Sequence, residues 1–164
     1  MINIIFWLFA AICITFGCVL GYKRYLTING RVLMSFRESM DLTDLPIVTF
    51  YNNKEKLNFL LDTGSNVSYI NSSVIPKLKY FKKDSNVSTI GIEGNEVKSD
   101  SIYLINLTYK NKDFEYTFNS MNLNKSFNII KKETGVQLHG ILGSTFFKEY
   151  GYILDFSTLT ARIK

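Results

Sequence analysis

The chain has 164 residues, 46% of them apolar and 15% aromatic, with a formal net charge of +5. That length holds one domain of ordinary size and an additional segment. Both cysteines, Cys13 and Cys18, fall in an apolar N-terminal run, which excludes a disulfide framework, a thiolate metal centre and a cysteine nucleophile from the rest of the chain. One histidine is too few for a zinc centre, and no basic stripe interleaves with a nucleic-acid module, so the positive charge reads as a solvated face.

In chain order, Ile2 to Tyr22 contains no Asp, Glu, Lys or Arg. About 20 apolar residues cross a bilayer as a helix, whereas the apolar core of a signal peptide is nearer 7–15. Residues 1–22 are therefore expected to be a transmembrane anchor. Lys23, Arg24, Arg31 and Arg37 follow the run, and a Lys/Arg excess marks the cytoplasmic flank, which places the remainder on that side of a single-pass topology. Residues 23–45 are mixed and polar, a stalk with room for a short helix.

From Pro46 to Lys164 the pattern is of short runs rich in Ile, Val, Thr, Tyr and Phe between Asn, Gly, Ser and Lys clusters, the mark of a mainly β domain. Pro46–Tyr51 and Leu57–Leu61 flank a hairpin loop, so the second strand ends at Asp62. Val67–Ile70 resumes as strand, and Asn71 and Ser72 cap a short helix that Pro76 limits. Further strands are expected over Asn86–Ile92, Glu96–Thr108 and Asp113–Phe118, the last with Phe114, Tyr116 and Phe118 on one face. A helix over Phe127–Thr134 stops at Gly135, a second covers Ser144–Glu149, and the pair Tyr152–Phe156 and Leu159–Ile163 closes the chain.

One short stretch asks for an explanation beyond folding. Phe59-Leu60-Leu61-Asp62-Thr63-Gly64-Ser65 sends a carboxylate straight out of an apolar run into a tight turn. Burying an ionised group there costs several kcal/mol, roughly, unless its charge is solvated or shared. Downstream, Ile141-Leu142-Gly143 leads into Ser144-Thr145-Phe146-Phe147.

The two motifs in this order resemble the half-molecule plan of the aspartic proteases, most closely the single-domain, retropepsin-like members. The resemblance covers about Pro46 to Lys164 and implies a closed β barrel with one or two short helices. It implies that Asp62 is the catalytic aspartate, Thr63 the residue whose hydroxyl bonds across to a partner loop, and Gly64 the one that lets backbone approach the carboxylates, with Ser65 completing the loop. Ile141, Leu142 and Gly143 match the strand threading beneath that loop, and Tyr152–Phe156 the closing strand. Ser88–Glu96, with Ile90, Gly91, Ile92 and Gly94 around its tip, takes the place of the flap that covers substrate.

Two carboxylates in hydrogen-bond contact share one proton, so that one acts as base toward a water and the other as acid toward the peptide carbonyl. That chemistry needs no cofactor and no metal. The chain supplies one such loop. Asp155-Phe156-Ser157 lacks the Thr-Gly that would shape a second, and its aspartate reads as a turn residue. A homodimer setting Asp62 against its symmetry mate is therefore implied, acting on a peptide or protein substrate. His139 reads as a packed structural histidine, since neither Ser65 nor Ser144 lies in a nucleophile elbow. The competing reading is a non-catalytic, membrane-anchored dimerisation or binding module on the same fold.

Overall fold

The computed structural model describes residues 2–28, 34–83, 88–90, 96–98 and 101–163, with backbone alone at 2–5, 23–24, 26–28, 88–90 and 96–98. Helix α1 (Ile2–Ile28) precedes the domain, and its apolar side chains from Phe6 to Leu20 face outward. Among the described residues no helix is long and apolar enough to cross a membrane. The transmembrane helix expected over residues 1–22 is thus not found among them.

The folded unit begins earlier than Pro46. Helix α2 (Phe36–Thr43) opens with a capping box in which Ser35 and Glu38 satisfy each other's backbone N–H groups. Met34, Phe36 and Ser39 are buried, and Ser39 Oγ accepts the N–H of Ile47 at 2.9 Å. Half of the expected stalk is therefore packed structure, hidden in the sequence because a helix this short shows too few turns for its apolar face to stand out.

Strands β1 (Ile47–Asn52) and β2 (Glu55–Asp62) form a hairpin closed by two residues, with Asn53 in the left-handed region at φ 56°. After β3 (Tyr69–Asn71), Pro76 confines the expected helix to a 3-10 turn over Ser72–Lys77. β4 (Tyr80–Lys83) and the short pair β5 (Ser88–Ile90) and β6 (Glu96–Lys98) lead to the long hairpin β7 (Ser101–Tyr109) and β8 (Lys112–Met121). Helix α3 (Asn124–Thr134) stops at Gly135, φ 79°, whose N–H caps Lys131. β9 (Gly140–Gly143), α4 (Ser144–Glu149), β10 (Tyr152–Asp155) and β11 (Thr160–Ile163) complete the chain.

Six strands close on themselves in the order β1-β2-β9-β3-β8-β7 and back to β1, with β4 added outside β7. The architecture is mainly β, a closed six-stranded barrel with few helices. Phe114, Tyr116 and Phe118 point inward from β8 as the alternation requires and pack with Phe50, Phe59 and Phe146, mostly edge to face. A smaller core, Met34, Ile47, Phe127, Val136 and Leu138, lies under α3 and the N-terminal segment. Leu60 and Ile141, facing away from the main core on β2 and β9, pack against this second cluster. β2 and β9 are thus clamped from both sides, which stiffens the elements that carry the motifs.

Candidate active site

Asp62 is the last residue of β2 and is paired in parallel register with Gly143, the last residue of β9. β9 also pairs with β3, so the loop from Thr63 to Ser68 leaves β2, passes over the end of β9 and returns on its other side. Two observations show how closely the pieces approach. The Gly64 N–H donates to Asp62 Oδ1 at 2.9 Å, and a Cβ on Gly143 would sit 2.6 Å from the Val67 carbonyl oxygen. Glycine at 143 is what lets the loop lie on the strand.

The loop is held from behind. Ser144 donates both its N–H and its Oγ to the Ser65 carbonyl, at 2.7 and 3.0 Å. Ser68 Oγ accepts the Gly143 N–H at 2.9 Å, and Thr145 Oγ1 donates to the Asn66 carbonyl at 2.7 Å while contacting the Tyr116 hydroxyl at 2.7 Å. Ser65 Oγ closes the turn on itself through the Val67 carbonyl, 2.7 Å away. Its front is bare by comparison. Thr63 and Gly64 are exposed, and among the described residues Asp62 has the Gly64 N–H as its one carboxylate hydrogen bond.

A half-buried carboxylate with an oxygen to spare can orient a water or exchange a proton. The structure therefore brings Asp62, Thr63, Gly64 and Ser65 together with Ile141, Leu142 and Gly143. Of the expected flap, Ile90 lies in β5, while Gly91, Ile92 and Gly94 lie outside the described residues. Among the described residues no three His, Cys, Asp or Glu side chains converge on a point where a metal ion could be held. Ser68, Tyr116, Ser144 and Thr145 support the loop, a role that the sequence did not assign to any of them. Only the position of Ser144 and Thr145 directly after Ile-Leu-Gly could have pointed to two of them.

The remaining polar candidates are structural. Asp155 Oδ1 accepts from the Ser157 hydroxyl and from the Thr158 and Ser157 N–H groups, and hydrogen bonding, from the Ser157 side chain first and the Thr158 side chain second, holds its carboxyl down at about 2. His139 is largely buried, and that burial, followed by the charge of Lys77, lowers it to about 4, so it is neutral.

The model of the retroviral aspartyl protease family matches residues 42–154, more than half of the chain. The chain belongs to that family. Among solved structures, EIAV protease in complex with the inhibitor HBY-793 is similar at TM-score 0.50 and 20% identity, covering 68% of this chain and 93% of the other. The retroviral protease-like domain of Ddi1 from Leishmania major is similar at TM-score 0.52 and 10% identity, covering 73% and 88%. At these identities the likeness is one of fold. No curated protein matches. The family match starts inside α2, so α1 lies before it, as do the first residues of the packed N-terminal segment.

Proposed function

We propose that this retropepsin-like chain is an aspartic endopeptidase that works as a homodimer, with the Asp62 carboxylates of two copies flanking one water. The observation that carries the reading is the half-built loop: Asp62 braced from behind by β9 and α4, with an oxygen that accepts no hydrogen bond among the described residues and an exposed Thr63 in front. A loop serving only as a turn would consume its own polar groups, as Asp155 does. In the dimer, one carboxylate takes a proton from the water attacking the peptide carbonyl, and the other donates a proton to the carbonyl oxygen. Thr63 bonds across to the partner loop. The β5–β6 pair closes over a peptide substrate and excludes bulk water.

β10 and β11 form a two-stranded sheet separate from the barrel, with exposed Phe156 at their turn, and provide edges on which two copies can pair. α1, with its outward apolar side chains, attaches the enzyme to a membrane through residues 2–22 in a single pass, the domain facing the cytoplasm. Confinement to a bilayer favours a weak pair by raising effective concentration.

The test is incubation of the purified full chain with an unbiased peptide library over acidic to neutral pH. Cleavage that disappears in Asp62→Asn and on dilution supports the reading; cleavage unaffected by either refutes it. Topology is tested by a tag after Lys164: digestion by protease added outside intact cells would reverse the orientation.

A further inference from the structure

β2 and β9 are the parallel strands that deliver Asp62 and its support, and one side chain joins them just upstream of the site. His139, the only histidine of the chain, stands immediately before β9. Its Nδ1 accepts the backbone N–H of Asn58 on β2 at 2.9 Å, and the backbone N–H of His139 donates to the Asn58 carbonyl at 2.9 Å. The His139 carbonyl accepts the N–H of Asn71 on β3, also at 2.9 Å. One residue thus fastens β9 to both of its neighbours, one register position before the pairs that end in Asp62 and Gly143.

The same point closes a buried polar chain. Asn58 Nδ2 donates to the Gln137 carbonyl at 3.0 Å, Thr49 Oγ1 donates to Asn58 Oδ1 at 2.8 Å, and Met34 N–H donates to Thr49 Oγ1 at 2.8 Å. Asn58 and Thr49 are buried, so water is not at hand to replace a lost partner.

A ring nitrogen that accepts an N–H must hold a lone pair, and imidazolium has none, since both its nitrogens carry protons. Protonation of His139 would set a donor against the Asn58 N–H. Among the described residues, the groups tied to His139 offer the cation no help: Lys77 from the 3-10 turn is positive, and Asn58 at the ring, Gln137 bonded to Asn58 and Asn71 at the His139 carbonyl are uncharged. Burial first, and Lys77 second, bring the histidine down to about 4 from its ordinary 6.5.

We propose that His139 is a positioning residue for the Asp62 loop and an acid-sensitive clamp, whose neutral Nδ1 keeps β2 and β9 in the register that aligns the site. The effect on cleavage rests on the aspartic protease reading; the clamp itself does not. An unfolded chain protonates this histidine near 6.5 and the folded one only near 4, so the contribution to stability is complete above 6.5 and is lost progressively as pH falls to 4. The paired-carboxylate chemistry favours acid, and the clamp sets its lower bound.

The experiment uses the full chain carrying Asp62→Asn, which removes self-cleavage, with His139, His139→Asn and His139→Ala compared. Asparagine places an amide oxygen where Nδ1 stands and does not titrate, whereas alanine removes the acceptor. The proposal expects the single histidine NMR signal to titrate near 4 in the folded protein. It expects the Tm of the parent to fall between pH 6.5 and 4 by more than that of His139→Asn, and His139→Ala to melt lowest at pH 7. In the active chain, His139→Asn should extend the acid limb of kcat and leave KM near the parent value. A histidine titrating near 6.5, or His139→Asn following the parent's Tm profile, overturns the clamp. Loss of the protease reading would show separately, as absence of cleavage in a chain whose Tm profile behaves as expected.

Discussion

Asp62 closes β2 and Asp155 closes β10, and each is followed by a tight turn of small polar residues. At Asp155 the turn is spent on the carboxylate: two N–H groups and a hydroxyl converge on Oδ1. At Asp62 the polar groups of the turn point the other way, Ser65 to Val67 and the Ser65 and Asn66 carbonyls to α4, leaving the Gly64 N–H for the carboxylate. An aspartate that takes three hydrogen bonds from its own turn stabilises that turn. An aspartate whose loop is secured by other groups keeps hydrogen-bonding capacity for a ligand, which is the physical distinction between a staple and a site.

The sharpest way to break this comparison is to neutralise each carboxylate in turn. Asp62→Asn should reduce peptide cleavage by at least about a thousand-fold, because the amide cannot take a proton from water, while circular dichroism stays unchanged. Asp155→Asn should leave kcat/KM within about three-fold, as expected for a group that serves only its own turn. Comparable losses from both would erase the distinction.

Support from behind is tested next. Gly143→Ala places a methyl group against the Val67 and Ser65 carbonyl oxygens, 2.6 and 2.8 Å from the ideal Cβ position. Backbone on both sides leaves no soft neighbour to yield, so overpacking should cost about 1–3 kcal/mol in chemical denaturation and lower cleavage with it. Thr145→Val removes the bond to Asn66 and the contact with Tyr116, worth about 1 kcal/mol. Its effect on cleavage should exceed its effect on stability, since the loop and not the core loses its tether.

The smallest effect separates the two aspartates by pH. The bonds from Ser157 and Thr158 depress Asp155 from 3.8 to about 2, so its stabilising contribution is present above 3.8 and lost as pH falls through 2. Asp155→Asn should therefore flatten the thermal stability profile only below about pH 4, a shift visible by scanning calorimetry.

Local chemistry was the legible part of this protein. Alternation named the inward face of β8, Gly135 the end of α3, and Ile-Leu-Gly with Asp-Thr-Gly the two strands that meet at the site. Asp155 and His139 were recognisable as structural because their sequence contexts lacked the partners catalysis needs. The packed segment from Met34 to Leu45 was not legible, because its burial depends on β1, β11 and a second small core assembled from residues about a hundred positions away. Nor were Ser68 and Tyr116, whose roles arise only when β3, β8 and α4 converge. Their side chains are ordinary, and topology gives them their task.

The central claim is that each active site takes one Asp62 from each of two chains. Equal amounts of the parent chain and Asp62→Asn, unfolded together, refolded and reconstituted, measure this directly when cleavage is compared with the same total of parent alone. Random pairing with inactive mixed dimers leaves about a quarter of the activity. Retention of about half would mean that each chain works alone, and would contradict the shared site.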